Sequence, residues 1–194
     1  QPVLATAVID DELNSTLEAG VKSALASGLG TFNVATYITV VEDYQTNIVS
    51  SIETAALRSY PANIPEVQVK GLEMDLSAQL VERLTLRASL AYADGAYTDY
   101  PAGPCALEQQ SASTSACVLT GLALPGLSKW VGSLGADYRL PLANGELLIH
   151  VDSSTRSRYN SNNAGSRYTN IAGYNLSNAS VGYRSAKGWM LDLF

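Results

Sequence analysis

Hydrophobic and polar residues alternate with a period of two along most of this chain. The clearest example is residues 146–155, where one face is aliphatic and the other carries two carboxylates and an imidazole, those of Glu146, Asp152 and His150. This alternation predicts β-strands with one apolar and one polar face. The same pattern predicts three further strands, at residues 72–79, 84–92 and 130–140. Less regular alternation predicts strands near residues 15–25, 31–44 and 172–184, and a last strand that starts at Gly188.

The connections between these strands alternate in length. Four are short, at residues 27–30, 81–83, 141–145 and 185–187. Three are long, at residues 45–65, 98–127 and 157–171. Bacterial outer-membrane barrels join antiparallel strands of about ten residues by short periplasmic turns and longer extracellular loops. The sequence therefore predicts an all-β fold, an antiparallel transmembrane β-barrel segment of about eight strands.

Aromatic residues near the strand ends agree with this prediction, because aromatic girdles mark the two interfaces of a membrane barrel. Tyr44, Tyr97, Trp130 and Tyr174 lie toward the long connections. Tyr138, Tyr183 and Trp189 lie toward the short turns. A soluble β-sandwich or lipocalin-like barrel would also alternate, but the regular difference in loop length favours the membrane barrel.

Composition narrows the function classes. Twelve Lys and Arg against 18 Asp and Glu give a net charge of −6, which disfavours nucleic acid as a partner. Hydrophobic residues make up 46% of the chain, so a packed structure is expected rather than disorder. No apolar run approaches the ~20 residues that a membrane-spanning helix requires. Eleven Tyr against two Phe and two Trp indicate positions where one end of the ring is apolar and the other wet.

Two cysteines, Cys105 and Cys117, lie in the polar connection 98–127. Two Cys alone make a poor zinc site, since zinc usually takes four ligands. We therefore predict a local disulfide and an oxidising compartment; the alternative is a pair of free thiols.

Catalytic chemistry has little support in the sequence. The single histidine, His150, shares the polar face with Glu146 and Asp152, but neighbours along a strand diverge. Ser153 therefore points away from His150, and Ser154 is roughly 13 Å distant along an extended strand. We predict no catalytic residue, no metal site and no cofactor. Instead, we expect Glu146, His150 and Asp152 to line the lumen of the barrel.

The connection 157–171 is rich in cationic, aromatic and amide side chains. Arginine pairs bidentately with carboxylates and phosphates, whereas tyrosine and asparagine suit a glycan. A solvated loop that meets surface lipopolysaccharide is the alternative. The candidate ligand-binding residues are Arg156, Arg158, Tyr159, Asn160, Asn162, Arg167 and Tyr168.

Four segments in a fixed order are similar to strands of the TonB-dependent outer-membrane receptors. They are residues 14–23 (NSTLEAGVKS), 32–37 (FNVATY) leading to 42–45 (EDYQ), 63–75 (NIPEVQVKGLEMD), and 84–92 (LTLRASLAY) followed by 96–100 (AYTDY). The resemblance covers nearly the whole chain and points to the C-terminal part of the barrel.

This resemblance implies a barrel of ~22 strands in the bacterial outer membrane, filled by a plug. It also implies import of a scarce solute such as a ferric siderophore, cobalamin or a glycan. We expect residues 1–194 to form a partial β-barrel domain, without the plug domain and the remaining strands. Expected partners are outer-membrane lipid, that plug, those strands, and the TonB complex, which the absent N-terminal part would engage.

Two other functions remain open for the chain. Open strand edges invite pairing, so a self-assembling structural β-protein that forms oligomers or fibres is one alternative. A small autonomous β-barrel binder is the other, because a barrel of eight strands is physically feasible.

Overall fold

The chain folds into one antiparallel sheet of eight strands with two long loops at one end. The structure is a computed structural model that describes residues 9–51, 57–111 and 116–194. In sheet order the strands are β1 (Leu13–Ala24), β2 (Gly30–Ser51), β3 (Leu57–Val81), β4 (Leu84–Asp99), β5 (Trp130–Leu142), β6 (Gly145–Arg156), β9 (Tyr174–Ser185) and β10 (Met190–Leu193). A separate two-stranded sheet pairs β7 (Tyr159–Asn160) with β8 (Asn170–Ile171).

In the large sheet each strand pairs with the next strand of the order given above, and every one of these pairs is antiparallel. β1 and β10 form its two edges, and no ladder joins them within the described residues. This architecture confirms the predicted all-β antiparallel fold. Within the described part of the chain, no helix is long and apolar enough to cross a membrane.

The register places aliphatic and polar side chains on opposite faces of the sheet. We call one the aliphatic face; its rows include Leu17, Ile38, Leu72, Leu90, Leu134, Val151 and Val181. We call the other the polar face; its rows include Glu18, Glu73, Arg87, Asp137, His150 and Ser180. On the aliphatic face Leu17 remains 73% exposed, so this surface lacks a protein partner within the described chain.

The predicted long connection at residues 45–65 is mostly strand, and this part of the prediction is wrong. β2 and β3 remain paired as far as Ser51 and Leu57. Pro65 cannot donate to the ladder, yet pairing resumes in the same register on its far side, with Tyr44 opposite Ile64.

The buried hydrophobic core lies under the loop that joins β4 to β5. Ile64, Val67 and Tyr97 are the most buried large side chains, at 0%, 1% and 1% exposure. Tyr100 and Leu119 from the loop pack against them. The core therefore forms where a loop folds back over the sheet.

Tyr97 is consequently not a girdle residue, which corrects the prediction made for it. It lies on the polar-face side of β4, and the loop covers it. On the aliphatic face two aromatic pairs mark the strand ends. Tyr92 and Trp130 lie 4.7 Å apart, centroid to centroid, at the long-loop end. Tyr183 and Trp189 lie 5.3 Å apart at the short-turn end.

Candidate functional site: the cap formed by two loops

Two long loops meet at one end of the sheet. The disulfide loop, residues 100–129, joins β4 to β5. The arginine loop, residues 157–173, joins β6 to β9 and contains the β7–β8 hairpin. We call the two loops together the cap, because hydrogen bonds connect them to each other and to the end of β2.

The disulfide loop is closed near its base. Cys105 and Cys117 form the predicted disulfide. Beside it, Gly103 and Cys117 exchange two backbone hydrogen bonds of 2.8 and 2.9 Å. Leu119 and Tyr100 fill the space beneath this bridge. The covalent link and the small β-bridge together fix the start and the return of the loop over the core.

Tyr100 is buried with its hydroxyl unpaired. Its Oη has no hydrogen-bond partner among the described residues. Its ring meets that of Tyr97 edge-on, with centroids 5.2 Å apart. Burial, and then the nearby Tyr60, raise the pKa of Tyr100 to about 12. The side chain therefore fills the space under the disulfide loop as an apolar group would.

Glu108 joins the two loops of the cap. Its Oε1 accepts a hydrogen bond of 2.7 Å from the Arg167 amide, and its Oε2 accepts one of 2.8 Å from the Ser166 hydroxyl. These bonds lower the pKa of Glu108, and the bond from the Arg167 amide contributes most. The sequence analysis missed this residue, although Glu108 is the only charged residue between positions 100 and 128, and that was the available signal.

Asn160 holds the arginine loop together from inside. Its amide nitrogen donates to the Ser166 carbonyl at 2.7 Å, and its amide oxygen accepts from the Asn162 amide at 2.8 Å and from the Thr169 hydroxyl at 2.9 Å. These bonds occupy the side chain, so it serves the loop structure. The prediction that Asn160 contacts ligand therefore gains no support from its position.

Two of the three predicted arginines stack on tyrosine rings, and the third is exposed. Arg156 donates from Nε to the Ser128 hydroxyl at 3.0 Å, and its guanidinium lies 4.6 Å from the ring centroid of Tyr159. Arg167 stacks in the same way on Tyr168, at 4.8 Å. Arg158 is exposed. The prediction that these arginines contact ligand stays a prediction.

A cavity of about 440 Å³ lies between the two loops. Asn162 and Tyr168 are the two predicted ligand residues that line it. Other lining residues come from outside the arginine loop and were not predicted, among them Asn47, Leu107 and Gln110. Asn163 closes the cavity toward β2 by donating from Nδ2 to the Asn47 carbonyl at 3.1 Å. The described residues that line it supply amides, hydroxyls, apolar side chains and an aromatic ring, and none of these lining residues is charged.

The three residues expected to line a lumen lie together on the polar face. His150 bridges two carboxylates, with Nδ1 2.8 Å from Asp137 and Nε2 3.2 Å from Asp152. Glu146 is paired with Arg184 at 2.7 Å. A chain of polar contacts thus crosses β4, β5, β6 and β9, from Arg87 through Asp137 to Asn178.

The polar-face network consists of ion pairs and hydrogen bonds that His150 and two arginines make with carboxylates. Within the described residues no three His, Cys, Asp or Glu side chains are arranged to hold a metal ion. Ser153 lies on the aliphatic face, where its hydroxyl and the Asn175 amide nitrogen are 2.8 Å apart. His150 and Ser153 thus diverge as the alternation predicts. The polar face is a hydrogen-bonded wall.

Comparison with known proteins identifies the family. The family model described as "TonB dependent receptor-like, beta-barrel" matches residues 5–194. The chain therefore belongs to the β-barrel family of TonB-dependent receptors, as its motifs indicated. Members of this family are outer-membrane transporters and not enzymes. No curated protein matches the chain.

Solved receptors share the fold at low sequence identity. The siderophore receptor PiuA from Acinetobacter baumannii matches with a TM-score of 0.71 and 19% identity, over 95% of this chain and 24% of its own. The ferric yersiniabactin uptake receptor FyuA from Yersinia pestis matches with a TM-score of 0.67 and 12% identity, over 91% of this chain and 23% of its own. The copper transporter OprC matches with a TM-score of 0.65 and 18% identity, over 95% of this chain and 25% of its own. The chain thus spans about a quarter of the length of these structures.

Proposed function

We propose that residues 1–194 are a partial barrel domain of a receptor that binds a scarce solute at the bacterial outer membrane and imports it. The observation that carries the proposal is the amphipathic antiparallel sheet with a bonded cap at its long-loop end. The aliphatic face meets lipid, and the polar face, with Glu146, His150 and Asp152, lines the lumen. The chain contributes wall and cap rather than a catalytic step.

The remaining parts of the transport machine are proposed partners. Further strands pair with the open edges at β1 and β10 and close the barrel. A plug domain lies against the polar face, where Arg184, His150 and Asp137 offer both signs of charge. The TonB complex engages a segment outside this chain and supplies the energy for import.

The cap is the proposed place of first contact with the solute. Tyr168 is 65% exposed and lines the cavity between the loops, so its ring is available to stack on a ligand. Ferric siderophores are the first substrate class to test, because PiuA is a siderophore receptor and FyuA a ferric yersiniabactin uptake receptor. The described residues that line the cavity are uncharged, which favours a second candidate, a glycan, over a strongly anionic chelate.

Uptake by the full-length receptor tests the proposal. A strain without the receptor is complemented with the wild type, Tyr168→Ala or Tyr174→Ala, and uptake of labelled ferric siderophores, cobalamin and oligosaccharides is measured. Tyr174, at the start of β9, is the matched control because it does not line the cavity. We expect Tyr168→Ala to raise the apparent KM for one solute several-fold and Tyr174→Ala to leave it unchanged. Failure of the wild type to import any tested solute, or equal effects of the two variants, would contradict the proposal.

A further inference from the structure

The two walls of the cap cavity are held in different ways. One wall belongs to the arginine loop, within residues 161–169. Next to it the Asn160 carbonyl accepts a hydrogen bond of 2.8 Å from the Gly126 amide. Asn163, on the wall itself, donates to the Asn47 carbonyl at 3.1 Å. Neither bond involves the segment that the disulfide closes, so this wall has anchors that do not depend on the disulfide.

The opposite wall belongs to the disulfide ring, by which we mean residues 105–117. Cys105, Leu107 and Gln110 line the cavity from this side. Gln110 closes a single turn, because its backbone amide donates to the Leu107 carbonyl at 3.4 Å and its Nε2 donates to the Cys105 carbonyl at 3.2 Å. Leu107 is 67% exposed, so packing on the core does not fix its position. This wall therefore depends on closure of the ring and on the bonds that Glu108 makes to the arginine loop.

The covalent link can be broken without removing the loop from the sheet. Tyr100 and Leu119 lie outside the disulfide ring and pack on the strands. Gly103 exchanges two backbone hydrogen bonds with Cys117, and these do not require the S–S bond. Opening the ring therefore leaves the base of the loop in place and gives the turn around Leu107 more freedom to move.

One of the two cysteines is partly open to solvent. Cys105 is buried, at 8% exposure, and lies on the cavity side. Cys117 is half-buried and is followed by Val118, which is 73% exposed. A thiolate breaks a disulfide by attacking one sulfur and releasing the other. An incoming thiol therefore meets Cys117 first, and the residue that it releases is Cys105 on the cavity wall.

We propose that the cap cavity is a solute site under redox control, in which reduction of Cys105–Cys117 by a low-molecular-weight thiol frees the wall at Leu107 and weakens solute binding. The inference rests on the proposed function, since it concerns the regulation of the same cavity. A thiolate bonds to Sγ of Cys117, the S–S bond breaks, and Cys105 leaves as a thiolate that takes up a proton. A second thiolate then displaces Cys117, which is protonated in turn, and the two thiols depart as their own disulfide. The protein gains two electrons and two protons, and the disulfide form of the same thiol reverses the exchange.

Amide hydrogen exchange of the full-length receptor in micelles tests the structural part of the proposal and needs no solute. Oxidised wild type, wild type reduced with glutathione and the variant Cys105→Ser/Cys117→Ser are compared. Alkylation and mass spectrometry give the state of the two thiols. We expect reduction to make exchange several-fold faster in residues 106–111 and to leave residues 160–164 unchanged.

Uptake by cells that carry the same receptors tests the functional part. The probes are labelled ferric siderophores, cobalamin and oligosaccharides. For a solute that the wild type imports, we expect glutathione to raise the apparent KM several-fold with little change in maximal rate, and oxidised glutathione to restore it. Cys105→Ser/Cys117→Ser should have a raised KM with or without glutathione. It is therefore the control for effects of glutathione elsewhere in the cell.

Three results would overturn redox control of the cavity. They are a disulfide that glutathione leaves intact in the folded receptor, an unchanged KM in the reduced wild type, and an equal response of the double variant to glutathione. If the double variant fails to reach the membrane, reversal by oxidised glutathione in the wild type decides. A wild type that imports none of the probes contradicts the import proposal instead. In that case unchanged exchange in residues 106–111 on reduction would still overturn the redox proposal.

Discussion

The carboxylate of Glu108 accepts a hydrogen bond of 2.7 Å from the backbone amide of Arg167, which lies 59 positions further along the chain. The bond joins the middle of the disulfide loop to the tip of the arginine loop. A charged acceptor makes a stronger bond than a neutral one. The cap therefore depends on this one carboxylate more than on any other charged side chain described between the two loops.

Replacing Glu108 should loosen the arginine loop without unfolding the sheet. Glu108→Gln keeps the size of the side chain but removes the charge, so the bonds to Arg167 and Ser166 weaken. We expect amide hydrogen exchange in residues 157–173 to become several-fold faster, with exchange in β5 and β6 unchanged. Glu82→Gln, in the short turn between β3 and β4, is the matched control. Equal exchange in wild type and Glu108→Gln would show that the cap is held by other contacts.

Acid should release the same contact. Hydrogen bonds lower the pKa of Glu108 in the folded cap, so the folded state binds this proton more weakly than the unfolded state does. The stabilisation is complete above the ordinary glutamate pKa and disappears as the pH falls through the lowered one. The ¹⁵N–¹H signal of the Arg167 amide, followed in micelles, should titrate below the ordinary glutamate range. In Glu108→Gln this step should be missing; its persistence there would assign the titration to another group.

Removing the disulfide should destabilise the loop over the core. Cys105 and Cys117 are 12 positions apart, and opening a loop of this size costs about 3 kcal/mol through the entropy of the unfolded chain. We expect the double variant Cys105→Ser/Cys117→Ser to be cleaved faster by protease within residues 100–122. Wild type treated with reductant should behave like the variant. Identical cleavage of the oxidised wild type and the variant would mean that Tyr100 and Leu119 suffice to hold the loop.

Tyr100 should tolerate the loss of its hydroxyl but not of its ring. Its Oη is buried without a hydrogen-bond partner among the described residues, and an unpaired buried polar group costs about 1–3 kcal/mol. Tyr100→Phe should therefore leave the stability unchanged or raise it. Tyr100→Ala leaves a cavity and should destabilise the loop region by about 3–5 kcal/mol. Denaturant titration followed by tyrosine fluorescence measures both; a marked loss of stability in Tyr100→Phe would reveal a partner for the hydroxyl.

The sheet was predictable because its two faces meet different surroundings. Strands such as β6 alternate over most of their length, so Leu147 and His150 could be assigned to opposite faces from their positions alone. The parts of β2 and β3 at the long-loop end of the sheet were not predictable in this way. There a loop covers the polar-face side, Val67 and Tyr97 become core residues, and the simple alternation of apolar and polar positions ends.

The cap was only partly predictable for a related reason. The composition of the arginine loop identified Tyr168 and Asn162, which line the cavity. It could not distinguish them from Asn160, whose bonds lie within the loop, because the three share one short segment and similar chemistry. Glu108 and Asn47 come from distant parts of the chain, and their proximity to the arginine loop follows only from tertiary packing.

The position of the core has a consequence for exchange of loops between receptors. Tyr100 and Leu119 pack on Val41, Val67 and Tyr97. The disulfide loop and the long-loop ends of β2, β3 and β4 therefore share one core. A chimaera in which only residues 100–129 are exchanged would separate Tyr100 and Leu119 from the strand residues on which they pack. A successful transplant should instead carry the facing residues of β2, β3 and β4 together with the loop.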